Sequence, residues 1–97
     1  GGLKVEDPAL DLAVCMSLLS SYEEVRLPND VCFAAEVGLG GEIRAVNHIE
    51  SRISEAEKLG FRKVFVAKNN LKSLENKQRK IAIEGLSRLS DAFQKLF

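Results

Sequence analysis

From residue 31 to residue 46 the chain runs VCFAAEV, bends through GLGG and returns as EIRAV. The first run, Val31 to Val37, is apolar and β-branched enough for a buried strand. The glycines at 38, 40 and 41 supply a reversal, and Glu42 to Val46 alternates polar and apolar residues as a half-buried strand does. A hairpin at this place excludes a simple doubly wound sheet, in which helices and parallel strands alternate without interruption.

The segments on either side read as helices and strands in turn. Asp7-Pro8 resembles a helix start, with Asp7 as N-cap and Pro8 at the first helical position, where its missing N–H costs nothing. The following run, Ala9 to Ser21, is apolar on nearly every side and predicts a helix packed on more than one face. Leu27 to Asp30 supplies a turn. Asn47 with Glu50 three residues on forms a capping-box signature. The helix it opens carries Ile49, Ile53 and Ala56 at helical spacing and stops at Gly60. Lys63 to Ala67 predicts a short strand, Asn69 to Lys80 a polar basic loop, and Ile81 to Ile83 another strand. Ser87 caps a last helix with Leu89, Ala92, Phe93 and Leu96 on one face. The predicted order is α-β-β-α-β-β-α in a mixed α/β (α+β) layered arrangement. With 97 residues, one core is the natural reading, so residues 1–97 are expected to form a single domain.

Charge is balanced overall, with 14 basic and 14 acidic residues, which argues against a surface that is basic throughout. Its distribution is uneven. The first 57 residues are predominantly acidic, whereas Lys58, Arg62, Lys63, Lys68, Lys72, Lys77, Arg79 and Lys80 face only Glu75 between residues 58 and 80. Such a segment suits phosphate contacts, complementary faces in an oligomer, or a solvated loop. Cys15 and Cys32 are isolated within apolar segments and form no zinc-ligand pattern, so buried reduced thiols are expected. His48 has no partner implied by spacing and is expected to face solvent. The glycines at 38, 40 and 41 lack the Gly-Lys-Ser/Thr ending of a phosphate loop, so turn geometry accounts for them. No apolar run approaches the roughly 20 residues that span a bilayer, and the first residues lack a signal-peptide layout.

Three ordered segments, Gly1 to Ala13, Ala35 to Val46 and Glu50 to Phe61, followed by Val66 to Asn70, resemble the C-terminal Lon-protease-like domain of the RadA (Sms) family of bacterial DNA-repair proteins. The resemblance covers nearly the whole chain and weakens between Lys72 and Lys80. It implies a Lon-protease-like, ribosomal protein S5 domain 2-like layered fold that lacks the domain's N-terminal strands here, and hence an unprotected sheet edge. It also implies a longer parent with a zinc-binding motif and a RecA-like ATPase using ATP and Mg, so no cofactor is expected in this part.

In Lon proteases a serine near the start of the first helix is activated by a lysine at the start of the second. A serine is a poor nucleophile until a neutral lysine takes its proton. The resemblance puts Ala9 at the serine position and Glu50 at the lysine position, which implies no peptidase activity. Ser17, Ser20 and Ser21 have no lysine placed against them by the sequence. The family further implies a cytoplasmic homo-hexamer that acts on DNA beside the RecA recombinase, with no membrane involvement. Within it this part would serve as a scaffold that contacts DNA, or as an oligomerisation module alone. The candidates for phosphate contact, read from charge, are Lys58, Arg62, Lys63, Lys68 and Lys72.

Overall fold

The computed structural model describes residues 8–97, which form two three-stranded sheets and three helices. In chain order these are β1 (Ala9–Asp11), α1 (Leu12–Glu23), β2 (Val31–Ala34), β3 (Glu36–Gly38), β4 (Ile43–Arg44), α2 (Ile49–Lys58) and β5 (Lys63–Ala67). A 3-10 turn (Lys68–Ser73), β6 (Ala82–Leu86) and α3 (Leu89–Leu96) complete the order.

The fold is α/β, but the run from Val31 to Val37 is not one strand. It breaks at Ala35, and its halves join different sheets. β2 lies parallel to β5, which lies parallel to β6, giving the order β2-β5-β6. β3 pairs antiparallel with β4 in the expected hairpin, with Val37 opposite Ile43, and its other edge takes β1 with Leu10 opposite Val37. The observed order is therefore β-α-β-β-β-α-β-β-α. The break allows Ala35 to accept a hydrogen bond from Leu12 N at 3.0 Å, tying α1 to the point where the sheets part. A second junction joins the hairpin to the start of α3, where Ile43 N donates to Ser87 O at 2.9 Å and Leu89 N to Gly41 O at 2.8 Å.

Sheet pairing also shifts the first helix. The chain stays extended through Asp11 because Ala9–Asp11 pairs with Glu36–Gly38, so Pro8 is not a first helical residue. The expected cap, Asp7, lies outside the described residues. Asp11 is the cap in fact, its carboxylate accepting from Ala13 N and Val14 N. Nor is α1 buried all round: Leu12, Cys15 and Met16 turn inward, while Val14, Leu18 and Tyr22 are exposed.

β5 has apolar side chains on both faces. Phe65 and Ala67 point into a cluster with Leu12, Met16, Val37 and Ile43, closed by Ala92 from α3. Val64 and Val66 point the opposite way onto Ile49, Ile53 and Ala56 of α2. Phe65 stacks on Phe33 at 5.5 Å between centroids. Cys15 and Cys32 are free thiols, buried and half-buried, and burial pushes both thiols up from the ordinary range.

At the C-terminal end of β5 the buried Asn70 holds the segment that follows the hairpin. Its Oδ1 accepts from Val46 N at 2.9 Å and its Nδ2 donates to Val46 O at 3.0 Å. Both backbone groups of one residue are satisfied by one side chain. Asn70→Ala removes both partners at once and is expected to cost about 2–3 kcal/mol in urea unfolding. Faster hydrogen exchange at the Val46 amide should accompany it, and an unchanged unfolding midpoint would contradict this role.

Candidate functional site

α2 starts where Ile49 follows His48, whose φ of 59° is left-handed and whose side chain makes no cap hydrogen bond. The expected capping box does not form. Glu50 turns away from its own helix terminus because stronger donors reach it from residues distant in sequence. Glu50 Oε1 accepts from Glu75 N at 2.6 Å, and Arg79 Nη2 donates to both carboxylate oxygens at 2.6 and 2.8 Å. Lys77 Nζ lies 3.6 Å from Oε2. Two turns along α2, Glu57 Oε2 accepts from Lys80 N at 2.7 Å and Ile81 N at 3.2 Å. Two carboxylates on one helix face thus strap the loop between Leu74 and Ile81 onto α2. A polar cavity of about 210 Å³ lies between Glu50, Glu57, Lys77 and Arg79.

Electrostatics follows the geometry. The Glu75 amide, and next the Arg79 guanidinium, hold the Glu50 carboxyl below the ordinary glutamate range, and the amides of Ile81 and Lys80 do the same for Glu57. A group whose folded pKa is depressed stabilises the folded state above its ordinary value and loses that contribution as pH falls through the folded value. Above pH 4.5, the ordinary value of both groups, the strap's contribution is therefore fully present, and it is lost as pH falls through the lower folded values. The amide resonances of Glu75, Lys80 and Ile81 should report this by moving together as pH falls through the acidic range. Glu50→Gln should abolish the Glu75 response at every pH, and a Glu75 amide that titrates unchanged in that variant would overturn the assignment.

The two positions that the resemblance sets against a protease dyad lie in different settings. Ala9 sits on β1 opposite Gly38, without a nucleophilic atom. Glu50 has both oxygens engaged by the loop. Of the three serines near α1, Ser20 donates its hydroxyl to Val25 O, and among the described residues no lysine amine is hydrogen-bonded to a serine. His48 is exposed, as its isolation in the sequence suggested. No group of three or more His, Cys, Asp or Glu is arranged to hold a metal among the described residues.

The five candidate cations do not form one patch. Arg62 is paired with Asp30 at 2.7 Å, and Lys63 with Glu84 at 2.8 Å. Lys58, Lys68 and Lys72 are exposed and have no side-chain partner among the described residues. Topology then separates these three. α2 runs back along the sheet and leaves Lys58 near the start of β5, whereas Lys68 and Lys72 follow its end. Five residues of strand, about 16 Å, lie between the two groups. The unpaired cations at the C-terminal ends of the parallel strands are therefore Lys68 and Lys72. The turn that carries them packs closely on β6, since a Cβ at Gly85 would come within 3.2 Å of Lys68 Cα.

Comparison with known proteins adds lineage to this geometry. A family model described as "Subunit ChlI of Mg-chelatase" matches residues 1–70. The chain is 43% identical over 97 residues to the DNA repair protein RadA of Streptococcus pneumoniae, covering 100% of this chain and 23% of that relative. It is 51% identical over 70 residues to RadA of Listeria monocytogenes, covering 72% and 15%, and 40% identical over 95 residues to RadA of Bacillus subtilis, covering 97% and 20%. The chain thus spans less than a quarter of the length of these relatives. No helix among the described residues is long and apolar enough to cross a membrane.

Proposed function

Because the chain belongs to the family described as subunit ChlI of Mg-chelatase and matches RadA DNA-repair proteins from end to end, we propose that it is the non-proteolytic, Lon-protease-like part of a RadA-type repair protein. On this reading residues 1–97 are one domain that serves as a scaffold and contacts the DNA backbone. The rest of the parent supplies the ATPase with its ATP and Mg, and a zinc motif, and acts as a cytoplasmic hexamer alongside RecA during recombinational repair.

The observation that carries the DNA contact is the pair of lysines left unpaired at one end of the parallel sheet. Half of the cations of the basic segment, Arg62, Lys63, Lys77 and Arg79, are held by carboxylates, so a phosphate approaching those must displace an existing partner. Lys68 and Lys72 need lose only water. Flexible amines on a fixed turn give phosphate affinity without base choice, because phosphates carry no sequence information. Phe65 is buried and Phe61 packs against the α2 core, so neither offers a base a stacking platform. Absence of proteolysis follows from the chemistry of the two degenerate positions. Restoring the lysine would not restore a base, since Glu50→Lys puts an ammonium between Lys77 and Arg79 and releases the loop.

A second reading, an oligomerisation module that does not touch DNA, is favoured by the exposed apolar side of α1. Fluorescence anisotropy of labelled single- and double-stranded DNA across a salt series separates the two. For the first reading, affinity should fall with salt, and Lys68→Ala/Lys72→Ala should lower the steepness of log K against log salt by about 1.4–1.8, with little change between DNA sequences. Lys58→Ala, at the other end of the sheet, should leave that combined loss untouched. No binding by the folded chain at low salt, or equal binding by the double variant, would give the ground to the second reading.

A further inference from the structure

We infer that Arg79, Lys77 and the Glu75 amide form a phosphate site that the Glu50 carboxylate occupies in place of a phosphate, so that α2 keeps the site closed. The phosphate it excludes is that of a nucleic-acid backbone, and to that extent the inference rests on the DNA-contact reading.

Three donors of different kinds meet at one carboxylate. Glu75 N reaches Glu50 Oε1 at 2.6 Å, Arg79 Nη2 spans both oxygens at 2.6 and 2.8 Å, and Lys77 Nζ lies 3.6 Å from Oε2. A backbone amide, a guanidinium and an ammonium serve a phosphate group as they serve a carboxylate, because both present paired anionic oxygens. All three donors belong to residues 75–79, whereas the acceptor belongs to α2. Donor set and occupant are therefore separable. The charged contact is also not what anchors the loop at its ends. Ile81 is buried, Leu74 packs in the same cluster as Ile53, and Glu57 takes the amides of Lys80 and Ile81.

The site adjoins the amines that stand open. Glu50 lies in the first turn of α2 and borders one cavity with Asn70 and Ser73, the residues around Lys72. The polar cavity beside Lys77 and Arg79 measures about 210 Å³. That is several times the roughly 30 Å³ of one water, which is room for a phosphate group. Tethering is what keeps the phosphate out. A carboxylate carried on the same chain competes at an effective concentration in about the millimolar range or above. Behind it the Arg79 side chain is only 13% exposed, against 65% for Arg62. Phosphate contact in the native chain is thereby confined to Lys68 and Lys72, and loss of the Glu50 charge adds Arg79 and Lys77. Lys77 also faces Glu75 Oε2 at 3.8 Å, so it joins less completely than Arg79.

Glu50→Gln removes the charge and keeps an oxygen for the Glu75 amide, and circular dichroism checks that the variant is folded. Inorganic phosphate, titrated at constant ionic strength, should move the Glu75 amide and Arg79 side-chain resonances saturably in Glu50→Gln and leave them in place in the native chain. On duplex DNA the same variant should bind more tightly, with a slope of log K against log salt steeper by about 0.9–1.8, one to two added phosphates. Adding Lys77→Ala and Arg79→Ala to it should return the slope to its native value. Glu57→Gln takes the same charge from the same helix, but from a carboxylate hydrogen-bonded to backbone amides, and should leave the slope as it was. Glu50→Asp draws the carboxylate back by one methylene and serves should Glu50→Gln not fold, with a smaller gain of the same sign. No phosphate response in folded Glu50→Gln, a slope equal to the native one, or an equal gain from Glu57→Gln would each overturn the proposal. The phosphate arm needs no DNA. A chain that binds no DNA yet fills this site in Glu50→Gln would overturn the DNA-contact reading alone and identify a free phosphate as the occupant.

Discussion

Burial of β5 on both faces is the constraint from which the rest of the architecture follows. A strand whose successive side chains are all apolar cannot face water on either side, so layers must cover it above and below. The side of Phe65 and Ala67 is covered by α1 and α3, and that of Val64 and Val66 by α2. Parallel partners on each edge, Val31–Ala34 and Ala82–Leu86, complete the hydrogen bonding of its backbone. Since a parallel pair needs a long crossover, the chain between β2 and β5 must leave the sheet and return. The β3–β4 hairpin and α2 lie on that excursion. The hairpin's pairing with β1 then sets where α1 can begin.

These dependencies explain which parts were legible in the sequence. β5 was read at its observed bounds because a short, continuous apolar run between turn signals has few alternatives. α2 was legible from Ile49, Ile53 and Ala56, whose spacing is local. The start of α1 was not, because Asp-Pro is a good helix opening by propensity alone. What overrides it is the pairing of Ala9–Asp11 with residues about 27 positions later, which no local pattern carries. The split of Val31–Val37 at Ala35 has the same origin, since each half is an acceptable strand and only the two sheets distinguish them.

Glu50 shows a different kind of illegibility. Its position three residues after Asn47 fits the capping box, and that local rule lost to donors 25 and 29 residues away. A carboxylate gains more from a guanidinium and an unpaired amide than from its own helix end, because charge-assisted bonds are about twice as strong as neutral ones. The division of the basic segment was more accessible. A strand from Lys63 to Ala67 necessarily places the cations before it and after it at opposite ends of the sheet. Charge counted along the sequence hides that separation, whereas charge placed on the predicted elements would have revealed it.

Equal numbers of acidic and basic residues do not make a featureless surface, because the charges are matched unevenly in space. Asp30 and Glu50 of the acidic first half take up Arg62, Arg79 and Lys77, and Glu84 takes up Lys63 and Lys95, so half of the ten cations after residue 57 are paired within the chain. Pairing between subunits through those same charges would first have to break internal contacts, a poor source of net affinity. An assembly contact is better drawn from a face with no internal partner to lose, which is the uncharged side of α1. A phosphate contact is better drawn from amines with no carboxylate to give up at one end of the sheet, which are Lys68 and Lys72. The internal ion pairs involve neither the apolar side of α1 nor the Lys68–Lys72 turn, which lie on separate elements, and each is then open to test by substitutions that leave the other intact.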